Sequence, residues 1–132
     1  MNMFVNIDVD NLDEAIAFYT SGLGLTMSRK LFDGQVAELT GAAATIHLLT
    51  KKGGSATAGG ERSYARHWTP VHLDFCVNDL VDAAKRALDA GALQEGALRD
   101  CQWGRIATFS DPFGHGFCLM QLAADGYDSV AG

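Results

Sequence analysis

A chain of 132 residues with 48% hydrophobic and 20% charged residues is expected to form one compact domain, because it can bury a sizeable core. Its formal net charge of −6 argues against nucleic acid as a partner, since phosphates repel an acidic surface. No apolar run approaches the roughly 20 residues that cross a membrane, and no signal peptide is visible. Three cysteines without a Cys-x-x-Cys pair favour free thiols in a reducing compartment. We therefore expect a cytoplasmic protein without a membrane partner.

Two segments of the chain resemble each other. The sequence FVNIDVDNL runs from Phe4 to Leu12, and HLDFCVNDL runs from His72 to Leu80, an offset of 68 positions (72 − 4). Each passes from the alternation of a strand to the three- and four-residue spacing of a helix. The duplication predicts two similar modules with a pocket where they meet.

The first module, residues 2–52, is predicted to begin with a strand at Phe4–Val9. Asn11 is the expected N-cap of the following helix, with Glu14 three residues later as in a capping box. Apolar residues at helical spacing follow, and Gly22 and Gly24 are expected to end the helix. Three strands are predicted next, with Asp33-Gly34 as a hairpin turn: 25–32, 35–40 and 44–50.

Residues 53–68 are predicted to connect the modules, since this segment contains four glycines and no apolar periodicity. The second module, residues 69–124, repeats the plan. A strand at 69–77 leads to a helix capped by Asp79 and ended by Gly91, and three strands follow at 93–98, 103–110 and 116–122. Asp111 opens a strong turn signal. The tail, 125–132, is expected to fray.

The resulting α+β order, β-α-β-β-β twice, carries motifs that resemble the vicinal oxygen chelate superfamily of glyoxalases, bleomycin resistance proteins and dioxygenases. These motifs are FYTSGLGL (18–25), HLDFCVNDL (72–80) and DPFGHGFCLMQ (111–121). The resemblance covers nearly the whole chain. It implies a glyoxalase-like curved mixed sheet with a central cleft, and usually a homodimer.

The resemblance also implies four metal-ligand positions, which in this sequence hold Phe4, His47, His72 and Cys118. Metal-using members usually have His or Gln, Glu or His, His, and Glu at these positions. His72 is the clear match; Phe4 offers no donor atom, and Cys118 replaces a carboxylate. We therefore expect a member without the usual metal site and without a resident cofactor. The alternative is an altered divalent metal site at His47, His72 and Cys118, since Cys and His suit zinc.

Several polar and aromatic residues are predicted to line a ligand pocket. With Phe4 and the three residues of the altered site, the candidates are Asp74, Trp103 and Arg105. Asp8 and Asp74 need partners if they are buried, and Arg105 is one candidate partner for either. Cys118 is alternatively a nucleophile activated by His47 or His72, or an inert buried thiol. His67 and His115 are expected to face solvent.

Three classes of function follow from the resemblance. The leading hypothesis is binding or sequestration of a small organic molecule in a partly aromatic cleft between the modules, as in drug-binding members. The second is a metal-dependent lyase or isomerase (lactoylglutathione lyase-like) or a dioxygenase that uses the altered site. The third is a scaffold without catalytic activity. The sequence leaves open whether the protein is an enzyme.

Overall fold

The computed structural model describes every residue, Met1–Gly132. The chain divides into two compact units, Met1–Ala65 and Arg66–Gly132. This boundary lies within the segment that was predicted to connect the modules. Each unit forms its own four-stranded mixed sheet with one α-helix, so the predicted α+β class and the repeated β-α-β-β-β order are confirmed.

The first unit contains one helix and four strands: β1 (Phe4–Val9), α1 (Leu12–Ala17), β2 (Thr26–Leu31), β3 (Val36–Thr40) and β4 (Thr45–Thr50). Its sheet has the order β1-β4-β3-β2. The outer strand β1 runs parallel to β4, and the other neighbours are antiparallel.

The second unit repeats this arrangement with β5 (Leu73–Cys76), α2 (Leu80–Asp89), β6 (Leu93–Cys101), β7 (Gly104–Ser110) and β8 (Gly116–Leu122). The sheet order is β5-β8-β7-β6, again with one parallel pair, β5 and β8. Strand β5 is shorter than the predicted strand 69–77, and β6 continues past the predicted end at residue 98. None of the helices in the chain has the length and apolar character needed to cross a bilayer.

Both helices begin at the predicted caps. The Asn11 side chain accepts a hydrogen bond from the Glu14 amide at 3.0 Å, and the Asp79 side chain accepts one from the Asp82 amide at 3.1 Å. Each cap satisfies an amide that lacks a helical partner and contributes about 1 kcal/mol. Helix α1 is shorter than its periodicity predicts, because the chain widens into a π-helical turn at Phe18–Gly22.

Each sheet contributes one face to a hydrophobic core. In the first unit the fully buried side chains include Val9, Phe18, Leu39, Ile46 and Leu48. In the second unit they include Leu80, Phe109, Phe113 and Leu119. In β4 the buried residues Ile46 and Leu48 are two positions apart, so His47 between them lies on the opposite face of the sheet.

The turn between β2 and β3 starts one residue earlier than predicted. Phe32 and Asp33 have positive φ angles of 53° and 52°, and Gly34 has 82°. The left-handed conformation is easy for glycine but costs an L-residue roughly 1–2 kcal/mol. Phe32 is thus held in a strained backbone conformation while its side chain is 77% exposed.

Two segments without predicted structure are ordered by side-chain hydrogen bonds. In the connecting segment Arg62 donates to Asp8 at 2.6 Å, and it also contacts Ser55 and Thr57. The tail does not fray as expected: it forms a 3-10 helix at Gly126–Val130, and Gln102 donates to the Ser129 carbonyl at 2.7 Å.

Candidate functional site

The first unit contains a cavity of about 480 Å³ on the sheet face opposite its core. Strands β1, β2, β3 and β4 and the β2–β3 turn all contribute to its lining. The lining side chains are Phe4, Asn6, Arg29, Leu31, Phe32, Val36, Glu38, His47 and Leu49. Two of the predicted pocket residues, Phe4 and His47, therefore line the same cavity.

The sheet register brings three polar side chains of this cavity together. His47 lies on the central strand β4, directly opposite Asn6 of β1 and Glu38 of β3. Directly opposed residues of neighbouring strands project from the same face. The pairing of strands that are distant in sequence therefore places the Asn6 amide, the His47 imidazole and the Glu38 carboxylate side by side.

These three side chains form a hydrogen-bonded chain. His47 Nδ1 lies 3.2 Å from Asn6 Oδ1, and His47 Nε2 lies 3.2 Å from Glu38 Oε2. Because a carboxylate only accepts hydrogen bonds, the bond to Glu38 places a hydrogen on His47 Nε2. In that tautomer Nδ1 is an acceptor, and the Asn6 side-chain amide, whose oxygen and nitrogen exchange places on rotation, donates to it. The imidazole is only 12% exposed, so its orientation is fixed by these partners.

The Glu38 carboxylate forms hydrogen bonds with three neighbouring side chains. It accepts hydrogen bonds from Arg29 Nε at 2.9 Å and from the Ser28 hydroxyl at 3.0 Å, besides His47. Arg29 contributes most, followed by His47 and Ser28, and together they lower the pKa of Glu38 to about 2. Glu38 is therefore a carboxylate at every physiological pH.

Aromatic side chains form the apolar part of the lining. Phe4 is 63% exposed, and its ring meets the His47 ring edge-on with centroids 5.0 Å apart. Phe32 lines the cavity from the strained turn. Two large aromatic side chains thus remain accessible on one face of a small unit.

The second unit carries a different polar group at the equivalent sheet positions. Cys118 on β8 lies opposite Asp74 of β5 and Thr108 of β7, as His47 lies opposite Asn6 and Glu38. The ligand atoms of His72, Asp74 and Cys118 all lie within 4.8 Å of one another. His72 Nε2 is 3.4 Å from Asp74 Oδ1.

The Cys118 thiol is not poised as a nucleophile. Burial raises the pKa of the thiol above its ordinary value, and the nearby Asp74 carboxylate raises it too. The Thr108 hydroxyl, 3.5 Å from the sulfur, partly opposes this shift. At neutral pH the group is a thiol, which favours the inert interpretation over the nucleophile considered from the sequence.

Trp68 holds the His72 ring in place. The two rings pack with centroids 4.7 Å apart, and the Arg66 guanidinium lies 5.7 Å from the indole centroid. The indole lies directly on Gly116, where a Cβ atom would come within 2.1 Å of it. Glycine at this position of β8 is therefore required for the observed position of Trp68.

Trp103 and Arg105, which were predicted to line the pocket, pair with residues outside the first-unit cavity and outside the group of His72, Asp74 and Cys118. Trp103 packs against Tyr127 of the C-terminal 3-10 helix, with centroids 5.5 Å apart. Arg105 donates to Asp100 at 2.8 Å, so the suggested pairing with Asp8 or Asp74 is wrong. The cross-strand register pairs Arg105 with Asp100, whereas Asp8 accepts a hydrogen bond from Arg62.

The two histidines that were expected to face solvent instead contact each other. His115 Nδ1 lies 2.9 Å from His67 Nε2, and both side chains are half-buried. Backbone pairing of the two residues explains the contact. A bridge between residues 48 positions apart has no local sequence signal.

Sequence reasoning missed Asn6, Arg29 and Glu38 as site residues. A signal for Glu38 was present, since VAELT places a charged residue within an otherwise apolar strand. A carboxylate on the face opposite the core needs a partner or water. The identity of that partner depends on strand register, which the sequence did not specify.

The four-ligand metal set of the superfamily does not fit this chain. Phe4 stands at the first position, where its ring has no donor atom and packs against His47. No step through that metal set can be derived from these residues.

Comparison with known proteins identifies the family. The glyoxalase-like domain model matches residues 4–120, and the chain belongs to this family. Its solved structural neighbours lie in the glyoxalase/bleomycin resistance/dioxygenase (vicinal oxygen chelate) superfamily.

Two solved structures illustrate the shared fold. TnmS3, an antibiotic binding protein from Streptomyces sp. CB03234, is 20% identical with a TM-score of 0.68, covering 93% of this chain and 96% of TnmS3. The fosfomycin resistance protein FosX from Listeria monocytogenes is 18% identical with a TM-score of 0.70, covering 95% of each chain.

A curated relative is similar over nearly the whole chain. The anthracycline biosynthesis protein DnrV of Streptomyces peucetius is 28% identical over 130 residues, which are 98% of this chain and 44% of DnrV. The matched part of the chain spans 32–44% of the length of the curated relatives.

Proposed function

We infer that the first unit binds a small, largely apolar organic molecule in the cavity beside His47 and Glu38. The observation that carries this proposal is the cavity itself, about 480 Å³ with aromatic and aliphatic walls and a few convergent polar groups. Small-molecule sites have volumes of roughly 300–1,000 Å³ and this kind of lining.

The strained turn supports a role in binding. Phe32 has a φ of 53°, in a region that costs an L-residue free energy and that clusters at ligand sites. Burial of the Phe32 ring does not offset this cost, because the residue is 77% exposed. A ligand in the cavity would cover the rings of Phe32 and Phe4 and recover that burial.

The polar groups favour a ligand that carries a hydrogen-bonding substituent at one end. Arg29 brings guanidinium N–H groups beyond the two that Glu38 accepts, while Glu38 brings a permanent negative charge that Arg29 balances. We expect a flat aromatic or alicyclic molecule with its polar substituent beside these residues.

The charge state of Glu38 favours binding over proton-transfer catalysis. A general base works best with a pKa near the working pH, whereas the pKa of Glu38 is lowered to about 2. We therefore expect no turnover of the hemithioacetal of methylglyoxal and glutathione, the substrate that a lactoylglutathione lyase would use.

The relatives are consistent with this proposal. TnmS3 is an antibiotic binding protein, FosX a fosfomycin resistance protein and DnrV an anthracycline biosynthesis protein. A ligand of the polycyclic aromatic kind is a reasonable first probe for a chain similar to all three. The homodimer implied by the superfamily stays a prediction, which sedimentation equilibrium tests.

The binding experiment uses the intrinsic fluorescence of an anthracycline. Titration with the protein should give saturable quenching with one site per chain. Phe4→Ala and Phe32→Gly should each weaken the affinity about tenfold, since each removes an aromatic contact worth about 1–2 kcal/mol. Leu93→Ala serves as the matched control, because Leu93 is 68% exposed and does not line the cavity.

Stability measurements separate binding from folding in these variants. Phe32→Gly should leave thermal stability unchanged or slightly higher, because glycine relieves the left-handed strain. The proposal fails if a panel of polycyclic aromatic compounds gives no saturable binding. It also fails if Phe32→Gly and Phe4→Ala bind as tightly as Leu93→Ala.

A further inference from the structure

We propose that the first-unit cavity selects neutral ligands whose polar edge carries a hydrogen-bond donor at one end and a carbonyl oxygen at the other. Asn6 accepts from the donor, and Arg29 donates to the carbonyl. This inference rests on the proposed function, because it names the chemical class of the ligand for the same cavity. The hydrogen-bonding atoms that the protein leaves unoccupied define this class.

Four polar side chains form one row across the whole sheet of the first unit. The strand register pairs Asn6 with His47. It also pairs His47 with Glu38, and Glu38 with Arg29. Directly opposed residues project from the same face, and all four side chains line the cavity. These four residues, here called the polar row, cross the strands in the sheet order β1-β4-β3-β2.

A bulge in β2 places Arg29 in the polar row. The pairing of β2 with β3 shifts between Met27 and Arg29, so that Ser28 is an extra residue on β2. Without this extra residue Ser28 would lie opposite Glu38, and Arg29 would project from the other face of the sheet. In the bulged strand both Ser28 and Arg29 donate to the Glu38 carboxylate.

The two inner residues of the polar row have no unused hydrogen-bonding capacity. Glu38 accepts two hydrogen bonds from Arg29. It accepts one more from Ser28 and one from His47, which together fill the capacity of a carboxylate. His47 donates through Nε2 and accepts from the Asn6 amide at Nδ1. The Glu38 and His47 side chains are only 16% and 12% exposed, so a ligand must find its polar partners at the ends of the row.

The two outer residues keep atoms that no protein group occupies. Arg29 has guanidinium N–H groups beyond the two that Glu38 accepts. Asn6 donates one N–H to His47 and keeps its carbonyl oxygen and a second N–H. The Arg29 side chain is 65% exposed, and Asn6 is exposed as well. The β1 end of the row therefore offers an acceptor, whereas the β2 end offers only donors.

The separation of these two ends sets the length of the ligand. The Arg29 guanidinium lies against Glu38 on β3, and β3 is two strands away from β1 in the sheet. Because neighbouring strands are about 4.8 Å apart, the two ends are separated by about 10 Å. A rigid system of two or three fused rings with a substituent at each end suits this separation.

An apolar row lies beside the polar row. Leu49, Val36 and Leu31 are each two positions away from a member of the polar row, and they pair with one another in register. All three line the cavity. Residues two positions apart in a strand project from the same face. The ring system of the ligand can therefore contact the apolar row while its edge contacts the polar row.

Charge favours a carbonyl over a carboxylate at the Arg29 end. The charge of Arg29 is already balanced by Glu38, and a ligand carboxylate bound there would lie close to the Glu38 carboxylate. Like charges at short range repel. The formal net charge of −6 also disfavours an anionic ligand. A ketone or quinone oxygen accepts the same hydrogen bonds without this repulsion.

Four naphthalene derivatives test this inference by equilibrium dialysis with the wild-type protein. The compound 6-acetyl-2-naphthol carries both groups, 2-acetylnaphthalene lacks the donor, and 2-naphthol lacks the carbonyl. The fourth, 6-hydroxy-2-naphthoic acid, replaces the carbonyl with a carboxylate. We expect 6-acetyl-2-naphthol to bind about fivefold more tightly than each of the others, because the loss of one hydrogen bond has an effect of about this size.

Two variants assign the preferences to residues. Asn6→Leu should remove the preference for 6-acetyl-2-naphthol over 2-acetylnaphthalene but keep the preference over 2-naphthol. Arg29→Met should do the reverse. Asn2→Leu and Arg105→Met are the matched controls and should keep both preferences, since neither residue lines the cavity. Thermal melts show whether each variant is folded, and the compound series on the wild-type protein does not depend on any variant.

The inference is overturned if the four compounds bind with equal affinity or if the carboxylate binds most tightly. It is also overturned if folded Asn6→Leu still prefers 6-acetyl-2-naphthol over 2-acetylnaphthalene. Saturable binding of an anthracycline without these preferences would overturn this inference and leave the proposed function standing. An absence of saturable binding for the anthracycline and for all four naphthalenes would overturn both.

Discussion

The two units share one backbone plan but carry different chemistry at the same sheet positions. In the first unit the central strand presents His47 between Asn6 and Glu38. In the second it presents Cys118 between Asp74 and Thr108. The residue two positions before Asn6 is Phe4, whereas the residue two positions before Asp74 is His72.

This difference shows how a duplicated sheet can separate two kinds of site. In the first unit, hydrogen bonds from Arg29 and His47 satisfy Glu38, and Phe4 adds an apolar wall. In the second unit, the polar atoms of His72, Asp74 and Cys118 lie within 4.8 Å of one another. The shared register fixes where side chains meet, and the residue types decide what they bind.

Truncation of core aromatics tests whether the two units are built with similar stability. Phe18 in the first unit and Phe109 in the second are each no more than 1% exposed. Phe18→Ala and Phe109→Ala should each lower the free energy of unfolding by about 3–5 kcal/mol. Urea denaturation measures this loss. A loss below about 1 kcal/mol in one variant would show that the two cores do not contribute similar stability.

Cysteine reactivity tests the neutral thiol in the second unit. Cys118 is 5% exposed and its thiol pKa is raised, whereas Cys76 and Cys101 are exposed. In single-cysteine variants at neutral pH, alkylation of Cys118 should be at least about tenfold slower than that of the other two. Comparable rates for all three would show that Cys118 is accessible and ionised.

The pH dependence of Glu38→Gln tests the ionic network of the first unit. The pKa of Glu38 is near 2 in the folded protein and about 4.3 when unfolded. Because the folded pKa is the lower one, Glu38 stabilises the fold above about pH 4.3 and loses this effect as the pH falls towards 2. Thermal melts of wild type and variant should differ at pH 7 and converge by pH 2.

A stability difference that does not change between pH 7 and pH 2 would contradict this interpretation of Glu38. The expected effect at pH 7 is the smallest of the three, because the network lies near the protein surface, where solvent screens charges.

The fold could be predicted from local patterns, because duplicated strand and helix periodicities and the caps at Asn11 and Asp79 are encoded in short segments. The site could be predicted only in part. Phe4, His47, His72, Asp74 and Cys118 were named from the superfamily positions and strand faces. Arg29, Glu38 and Asn6 were missed, since their contacts depend on the register between strands far apart in sequence.

The predictions for Arg105, for His67 and His115 and for the tail were wrong for one reason: each depended on contacts that short sequence segments do not report. Arg105 lies opposite Asp100 through the β6–β7 register, and His67 meets His115 through a bridge between distant residues. The tail is ordered by its own backbone hydrogen bonds, by a hydrogen bond from Gln102 to the Ser129 carbonyl and by the Trp103–Tyr127 contact. Composition alone indicated a fraying end, because it does not report such contacts.

The most direct test of the central claim is a map of backbone amide chemical shifts by NMR during titration with an anthracycline. We expect saturable shifts that are largest around Phe4, Asn6, Phe32, His47 and Leu49, which line the cavity of the first unit. The account would be contradicted by saturable binding that leaves these amides unchanged and shifts only amides of Arg66–Gly132.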